Sequence, residues 1–443
     1  MGDNDYHYND RLLREAVAAA NDSGRPLFLV ALATKPCYIK LAGLAKALAG
    51  QDVPHLLLDV GQHYEPLLTG AREEFSYDHL IAIHLQIRGG MLERTADMAL
   101  KLKLLALELR RRGLRTPPIP VVSGDTSTAA FLPLFWYLLT GYRSVHVEAG
   151  LRSSGPAARW EWRGLEQLLS QRQAPWLKDR DTPFPEAFDT TVASTACDLL
   201  LAPVQRNADN LLNEGYDPAK MVVVGSLSAD AVSLASGVAA PQASPQLEEL
   251  KEGRWLRVDI HRRENMTPLR LTAILRGLSR FAGSGGKLVL VMSNALRTAI
   301  ERHNLHDLLR RLQRCEGVLV QDLWPSYFHV ISFLKSPNCL AIFTDSGGLQ
   351  EEANILGVPC ITCRFSTDRP ETVLDGETNI LLPPADEELI AAGLESILSA
   401  RPERVFAGLP DSNLYGERVG ERITTELSRY APPPPAAGAE ITI

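Results

Sequence analysis

The sequence predicts an α/β protein with two Rossmann-like α/β/α domains, their parallel sheets facing an interdomain cleft. Three observations lead there. Short apolar runs alternate with helical patterns along most of the 443 residues, the rhythm of parallel sheets covered by helices on both faces. The length suits two or three domains at roughly 100–200 residues each. Polar, potentially reactive residues (Lys35, Gln62, His63, Asp125, Glu148, His261 and Ser346) fall just past strand ends in both halves, where ligands of such sheets sit.

Strands are expected at 27–32, 55–60, 119–124, 144–149, 198–203, 221–226, 255–260, 287–292, 317–322, 339–344 and 379–384. Residues 91–112 keep one apolar stripe and end in basic residues, as the C-terminus of a helix favours. APVQRN near 203–206 marks the domain boundary, giving an N-terminal domain over 1–204 and a C-terminal one over 205–414. Residues 415–430 read as a last helix crossing back to the first domain, and the Pro-rich tail 431–443 as disordered or extended. Residues 153–182 interrupt the rhythm and carry Trp160, Trp162 and Trp176. An insertion of that size in the N-terminal domain is a lid or an interface.

Composition narrows the class. A hydrophobic content of 45% with 22% charged residues describes a soluble globular chain. The net charge of −7 argues against nucleic acid as a partner. No apolar run reaches the ~18 residues of a membrane span, and the polar start MGDNDYHYND is no secretory signal. The cysteines are scattered, and the pair Cys360/Cys363 has neither a second pair nor a His cluster beside it. Both read as structural thiols in a reducing cytoplasm, with no metal site.

TDSGGLQEEAN (344–354) is the most informative stretch. A strand, Ser346-Gly347-Gly348 and a helix together make an anion cradle of close backbone and unpartnered N–H groups. Glu351 and Glu352, one turn on, can accept hydrogen bonds from ribose hydroxyls. The alternative is an ordinary helix capped by Asp345 or Ser346. In SGDTST (123–128) Asp125 is either an N-cap or a carboxylate aimed into the cleft. HVEAGLR (146–152) places Glu148 at a strand end with Arg152 beyond it, and PFPEAFDT (183–190) offers Glu186 in a rigid turn. A buried strand-end acid is costly unless paired or catalytic. DIHRREN (259–265) gathers His261 and Arg262 for an anionic ligand, and RFSTDRPE (364–371) adds Arg369.

These motifs, with GQHYE (61–65), resemble in order and spacing the UDP-N-acetylglucosamine 2-epimerases from about residue 27 to about residue 427. The resemblance implies the GT-B fold and a UDP-N-acetylhexosamine substrate. It also implies elimination of UDP to a 2-acetamidoglucal, followed by UDP return with inversion at carbon 2, or by hydrolysis. By the same resemblance Asp125, Glu148 and Glu186 are acid/base carboxylates and His261 assists the leaving phosphate. Lys40, Ser346, Gly347 and Glu352 contact UDP, with Lys35, Gly348 and Arg369 counted beside them. Gln62, His63, Arg152 and Arg262 are further cleft candidates. Neither metal nor nicotinamide is expected; a homodimer is. The chain departs from the family pattern in places. Lys35 replaces an arginine, PEExNR reads PEAFDT, GNTVID reads GSLSAD (225–230), and Met292 stands for an effector-site histidine. A GT-B glycosyltransferase or a non-catalytic UDP-sugar-binding protein are the alternative readings.

Overall fold

A computed structural model describes residues 7–61, 74–237, 244–410 and 413–441. The chain forms two compact units. The first comprises Met1–Leu151, Pro185–Ala231 and Tyr415–Ile443, the second Arg152–Phe184 and Val232–Leu414.

The first unit is built on an eight-stranded sheet. Its strands are β1 (His7–Tyr8), β2 (Leu27–Leu32), β3 (His55–Asp59), β4 (Ile81–His84), β5 (Pro118–Ser123), β6 (Ser144–Val147), β9 (Cys197–Ala202) and β10 (Met221–Val223). Their spatial order is β1-β4-β3-β2-β5-β6-β9-β10. Only β1 runs antiparallel, pairing His7 with His84 at the edge. The order reverses between β2 and β5, so the carboxyl ends of these strands flank a topological switch point. Leu29, Ala31, Leu58, Val122 and Trp136 are among the side chains filling its core.

The second unit has a six-stranded, wholly parallel sheet. It consists of β11 (Trp255–Asp259), β12 (Leu288–Met292), β13 (Val318–Asp322), β14 (Cys339–Thr344), β15 (Cys360–Thr362) and β16 (Asn379–Leu381). The order is β13-β12-β11-β14-β15-β16, which places its switch point between β11 and β14. All eleven expected strands form. In these two sheets β1, β4 and β15 were not expected.

Three expectations about organisation are corrected. The boundary falls at Ala231/Val232, not 204/205, because β10 joins the first sheet beside β9. Residues 153–182 belong to the second unit, not the first. There β7 (Ser154–Pro156) and β8 (Trp176–Lys178) form a small antiparallel pair. Leu168 is buried in the second core, and Trp160 and Trp162 pack against it. The Gln171 amide accepts from Leu381 N at 2.8 Å and donates to Leu381 O at 3.1 Å. It thereby occupies the open edge of β16, which would otherwise invite another strand. Lastly, the Pro-rich tail is ordered against the first unit. Ala436 N donates to Gly141 O and Ile441 N to Leu139 O, satisfying carbonyls at a helix C-terminus, and Ile441 is buried.

Helix Val419–Arg429 packs on helix Lys35–Ala49. A Cβ on Gly420 would lie 2.8 Å from the Gly43 backbone, so the contact requires glycine. The Asp230 carboxylate accepts from Val419 N at 2.9 Å and Gly420 N at 2.7 Å, capping that helix. All six cysteines are free thiols. Burial pushes Cys360 up to about 12, so it is inert at neutral pH. Among the described residues no helix is long and apolar enough to cross a membrane.

Candidate active site

In the first unit the carboxylates gather at the carboxyl ends of β5 and β6. Gly124 turns the chain at φ +75°, and Asp125 follows, half-buried. The cap of helix Ser127–Thr140 is Thr126, which accepts from Ala129 N at 3.2 Å. Asp125 is therefore not the N-cap. Glu148, directly after β6, is 3% exposed and sits at φ +64°. A side chain in left-handed backbone costs of order 1–3 kcal/mol and tends to occur where geometry serves function. Its Oε1 accepts from Lys40 Nζ at 2.5 Å, and its Oε2 from Ser123 Oγ at 3.4 Å. A Cβ on Gly124 would come within 3.0 Å of that Oε2. Lys40, expected at the nucleotide, is thus engaged by Glu148 and compensates its buried charge.

Glu186 opens helix Glu186–Ala196, half-buried. Asp189, one turn on and buried, accepts from Ser127 Oγ at 2.8 Å. Burial, with Asp125 and Glu186 adding like charge and Ser127 opposing, raises Asp189 to about 7. Lys35 begins helix Lys35–Ala49, and burial lowers its affinity for its proton, partly offset by Glu74. Gln62 and His63 lie outside the described residues.

In the second unit the switch point between β11 and β14 carries His261 and Ser346. Asp345, fully buried, accepts from His261 N at 3.0 Å, Arg262 N at 3.0 Å and Asn265 Nδ2 at 2.9 Å. His261 Nδ1 lies 3.4 Å from Asp259 Oδ1 and 3.5 Å from Asp345 Oδ1. Burial alone would lower the imidazole; the two carboxylates outweigh it, so His261 holds its proton above the usual histidine range. Asp259, despite burial, is held down to about 2 by His261 and Arg257.

Ser346 caps helix Gly347–Leu356, accepting from Leu349 N at 3.4 Å. A Cβ on Gly347 would strike the Asp368 carboxylate at 2.7 Å, whereas one on Gly348 would make an ordinary contact with Ser346 Oγ at 3.9 Å. Three arginines converge on Asp368: Arg364 at 2.5 Å, Arg369 at 3.1 Å and Arg262 at 3.8 Å. Burial opposes its ionisation, but these guanidiniums hold its carboxyl far below the usual range. Arg369 is buried and also bound to Glu351. Glu352 accepts from Tyr327 OH at 3.1 Å. Arg152, buried, belongs to this unit. A helix N-terminus opening on Ser346, Gly347 and Gly348 is suited to a diphosphate. Sequence reasoning missed Asp189, Asp259 and Tyr327, and offered Asp345 only as a helix cap, a place Ser346 takes. Asp259 and Asp345 were legible as the acids at the two strand ends that also carry His261 and Ser346; Asp189 and Tyr327 gave no signal without tertiary contacts.

The profile of the UDP-N-acetylglucosamine 2-epimerases matches residues 178–428, more than half of the chain. The chain belongs to the UDP-N-acetylglucosamine 2-epimerase family. A UDP-N-acetylglucosamine 2-epimerase of Methanocaldococcus jannaschii is 27% identical over 82% of this chain and 90% of its own. The crystal structure of that organism's epimerase with UDP-GlcNAc and UDP is similar at a TM-score of 0.72, with 26% identity, 91% of this chain and 100% of that one covered. The family's members differ in sugar. A UDP-2,3-diacetamido-2,3-dideoxy-D-glucuronate 2-epimerase of Pseudomonas aeruginosa is 25% identical over 91% of this chain and 98% of its own. The pair of parallel-sheet units is that of the GT-B epimerases.

Proposed function

We propose that this epimerase inverts carbon 2 of a UDP-N-acetylhexosamine. A carboxylate of the first unit removes the carbon-2 proton as the bond from carbon 1 to the UDP oxygen breaks. A carbon 1–carbon 2 double bond forms, and UDP leaves with the electron pair. UDP then adds back at carbon 1 while a second carboxyl group protonates carbon 2 from the other face. The reaction is redox-neutral, so no nicotinamide is needed, and His261, whose proton Asp345 and Asp259 help to hold, with the N–H groups that open helix Gly347–Leu356 favours the leaving group's charge without a metal. The observation that carries this reading is Glu148, held at φ +64° in reach of Lys40 at a strand end beside Asp125. Incubation of UDP-N-acetylglucosamine with the protein in heavy water should place deuterium at carbon 2, followed by NMR. Absence of exchange, with UDP-sugar binding intact, would point to a transferase or a binding protein. Water adding in place of UDP would release free sugar, visible in the same spectra.

Glu352 is assigned to the ribose hydroxyls, supported by its place in the first turns of the cradle helix beside Tyr327. Glu352→Gln should weaken UDP binding about tenfold, charge-assisted bonds contributing ~1.5–3 kcal/mol. Calorimetry giving an unchanged affinity would remove Glu352 from the site.

A homodimer is supported by an exposed apolar face on two adjacent helices of the first unit. Helix Met91–Arg111 shows Leu100, Leu104 and Leu107, and helix Ser127–Thr140 shows Leu134 and Leu138. Such a face on a lone protomer marks an interface. Light scattering should find a dimer that Leu104→Glu with Leu138→Glu converts to monomer; a monomeric wild type would refute it. The free thiols fit a cytoplasmic setting.

A further inference from the structure

The proposed chemistry uses Asp125, Glu148 and Glu186, yet a fourth carboxyl group sits among them unassigned. Asp189 is 2% exposed and lies three residues after Glu186, on the same side of one helix. Its Oδ2 accepts a hydrogen bond from the Ser127 hydroxyl, two residues after Asp125 and in the first turn of the next helix. One side chain therefore ties the turn bearing Asp125 to the helix bearing Glu186. The charged groups facing it are Asp125 and Glu186, both acids. Other titratable groups on the elements around this helix lie toward its far end. His146 on β6 contacts Ser194 Oγ and Gly124 O, Arg143 binds Thr195 O, and Cys197 and Asp198 begin β9.

We propose that Asp189 is a positioning residue for the epimerase carboxylates: its bond to Ser127 fixes the Asp125 turn, and its own protonation sets the charge felt by Asp125 and Glu186. This rests on the acid/base reading of those two residues. Carboxylates that repel one another cannot all ionise cheaply, and the buried Asp189 holds its proton against the charge of Asp125 and Glu186. Once ionised, as pH rises through about 7, it adds a negative charge beside both. The stability consequence has a definite sign. The folded state holds a proton that the unfolded chain releases near 3.8, so this group's contribution falls as pH rises from about 4 to about 7.

The experiment is a carbon-13 carboxyl titration of the aspartate- and glutamate-labelled full chain, paired with the pH profile of carbon-2 exchange. Asp189 should titrate near neutrality, with a coupled step in Asp125 and Glu186 that disappears in Asp189→Asn. The exchange profile should show the same step in wild type and lack it in Asp189→Asn. Ser127→Ala, which removes the bond favouring the anion, should move the step to higher pH. An Asp189 already ionised at pH 5, or Asp125 and Glu186 curves unchanged in Asp189→Asn, would overturn the proposal. A wild type that titrates as expected but never exchanges carbon 2 would refute the epimerase reading instead, the carboxyl titration still deciding the role of Asp189 as charge-setting neighbour.

Discussion

Glu148→Gln is expected to lower carbon-2 deuterium exchange by about 10²–10⁴-fold, the usual contribution of a positioned acid or base, and to leave UDP affinity unchanged. The amide keeps the size of the carboxylate and its place after β6 but cannot take a proton. The helix proposed to cradle the nucleotide belongs to the other unit, so UDP affinity should not follow. Lys40→Met supplies the control, since it removes the ammonium 2.5 Å from Glu148 but keeps the carboxylate. A smaller loss is expected there. Calorimetric UDP binding distinguishes a folded, inactive variant from a collapsed one. Wild-type exchange rates in Glu148→Gln would reduce Glu148 to a structural partner of Lys40.

Asp345→Ala should cost about 3–5 kcal/mol of stability, the range for removing one member of a buried charged network. Its carboxylate receives the backbone N–H groups of His261 and Arg262 and the Asn265 side chain. The loss should extend to chemistry. Asp345 is the foremost charge raising His261, so the imidazole should titrate lower in the variant. A raised histidine lends stability below its unfolded value of about 6.5 and loses it as pH rises through the folded value. The deficit of the variant should therefore be larger in mildly acidic than in alkaline buffer. Denaturant unfolding at two pH values measures it; a midpoint equal to that of wild type would mean that the buried acid is idle.

The fold was legible because continuous apolar runs announce buried parallel strands and do so without tertiary information. Strand ends then pointed to Asp125, Glu148, His261 and Ser346; Asp125, His261 and Ser346 lie at the switch points of the two sheets, and Glu148 lies one strand further on, after β6. The ownership of residues 153–182 was not legible. It depends on Leu168 and Gln171 finding partners more than two hundred positions away in the case of Gln171 and Leu381. The tail reads as disordered or extended from its prolines; that it packs through Ile441 and through backbone bonds to Leu139 and Gly141 depends on tertiary contacts. Lys40 and Arg369 were read as nucleotide contacts from motif position alone; which acid each engages is a matter of side-chain geometry.

The path of the chain also sets a timetable for synthesis. The first unit's sheet is complete once β10 has emerged, but helix Val419–Arg429 and Ile441 arrive only after Val232–Leu414 of the second unit. At about 5–20 residues per second, roughly 10–40 s separate Ala231 from Tyr415. Throughout that interval the face of helix Lys35–Ala49 around Gly43 waits uncovered, and Asp230 waits for the amides it will cap. The unit that begins first on the ribosome is thus the one that closes last, and the second unit has time to fold before it does.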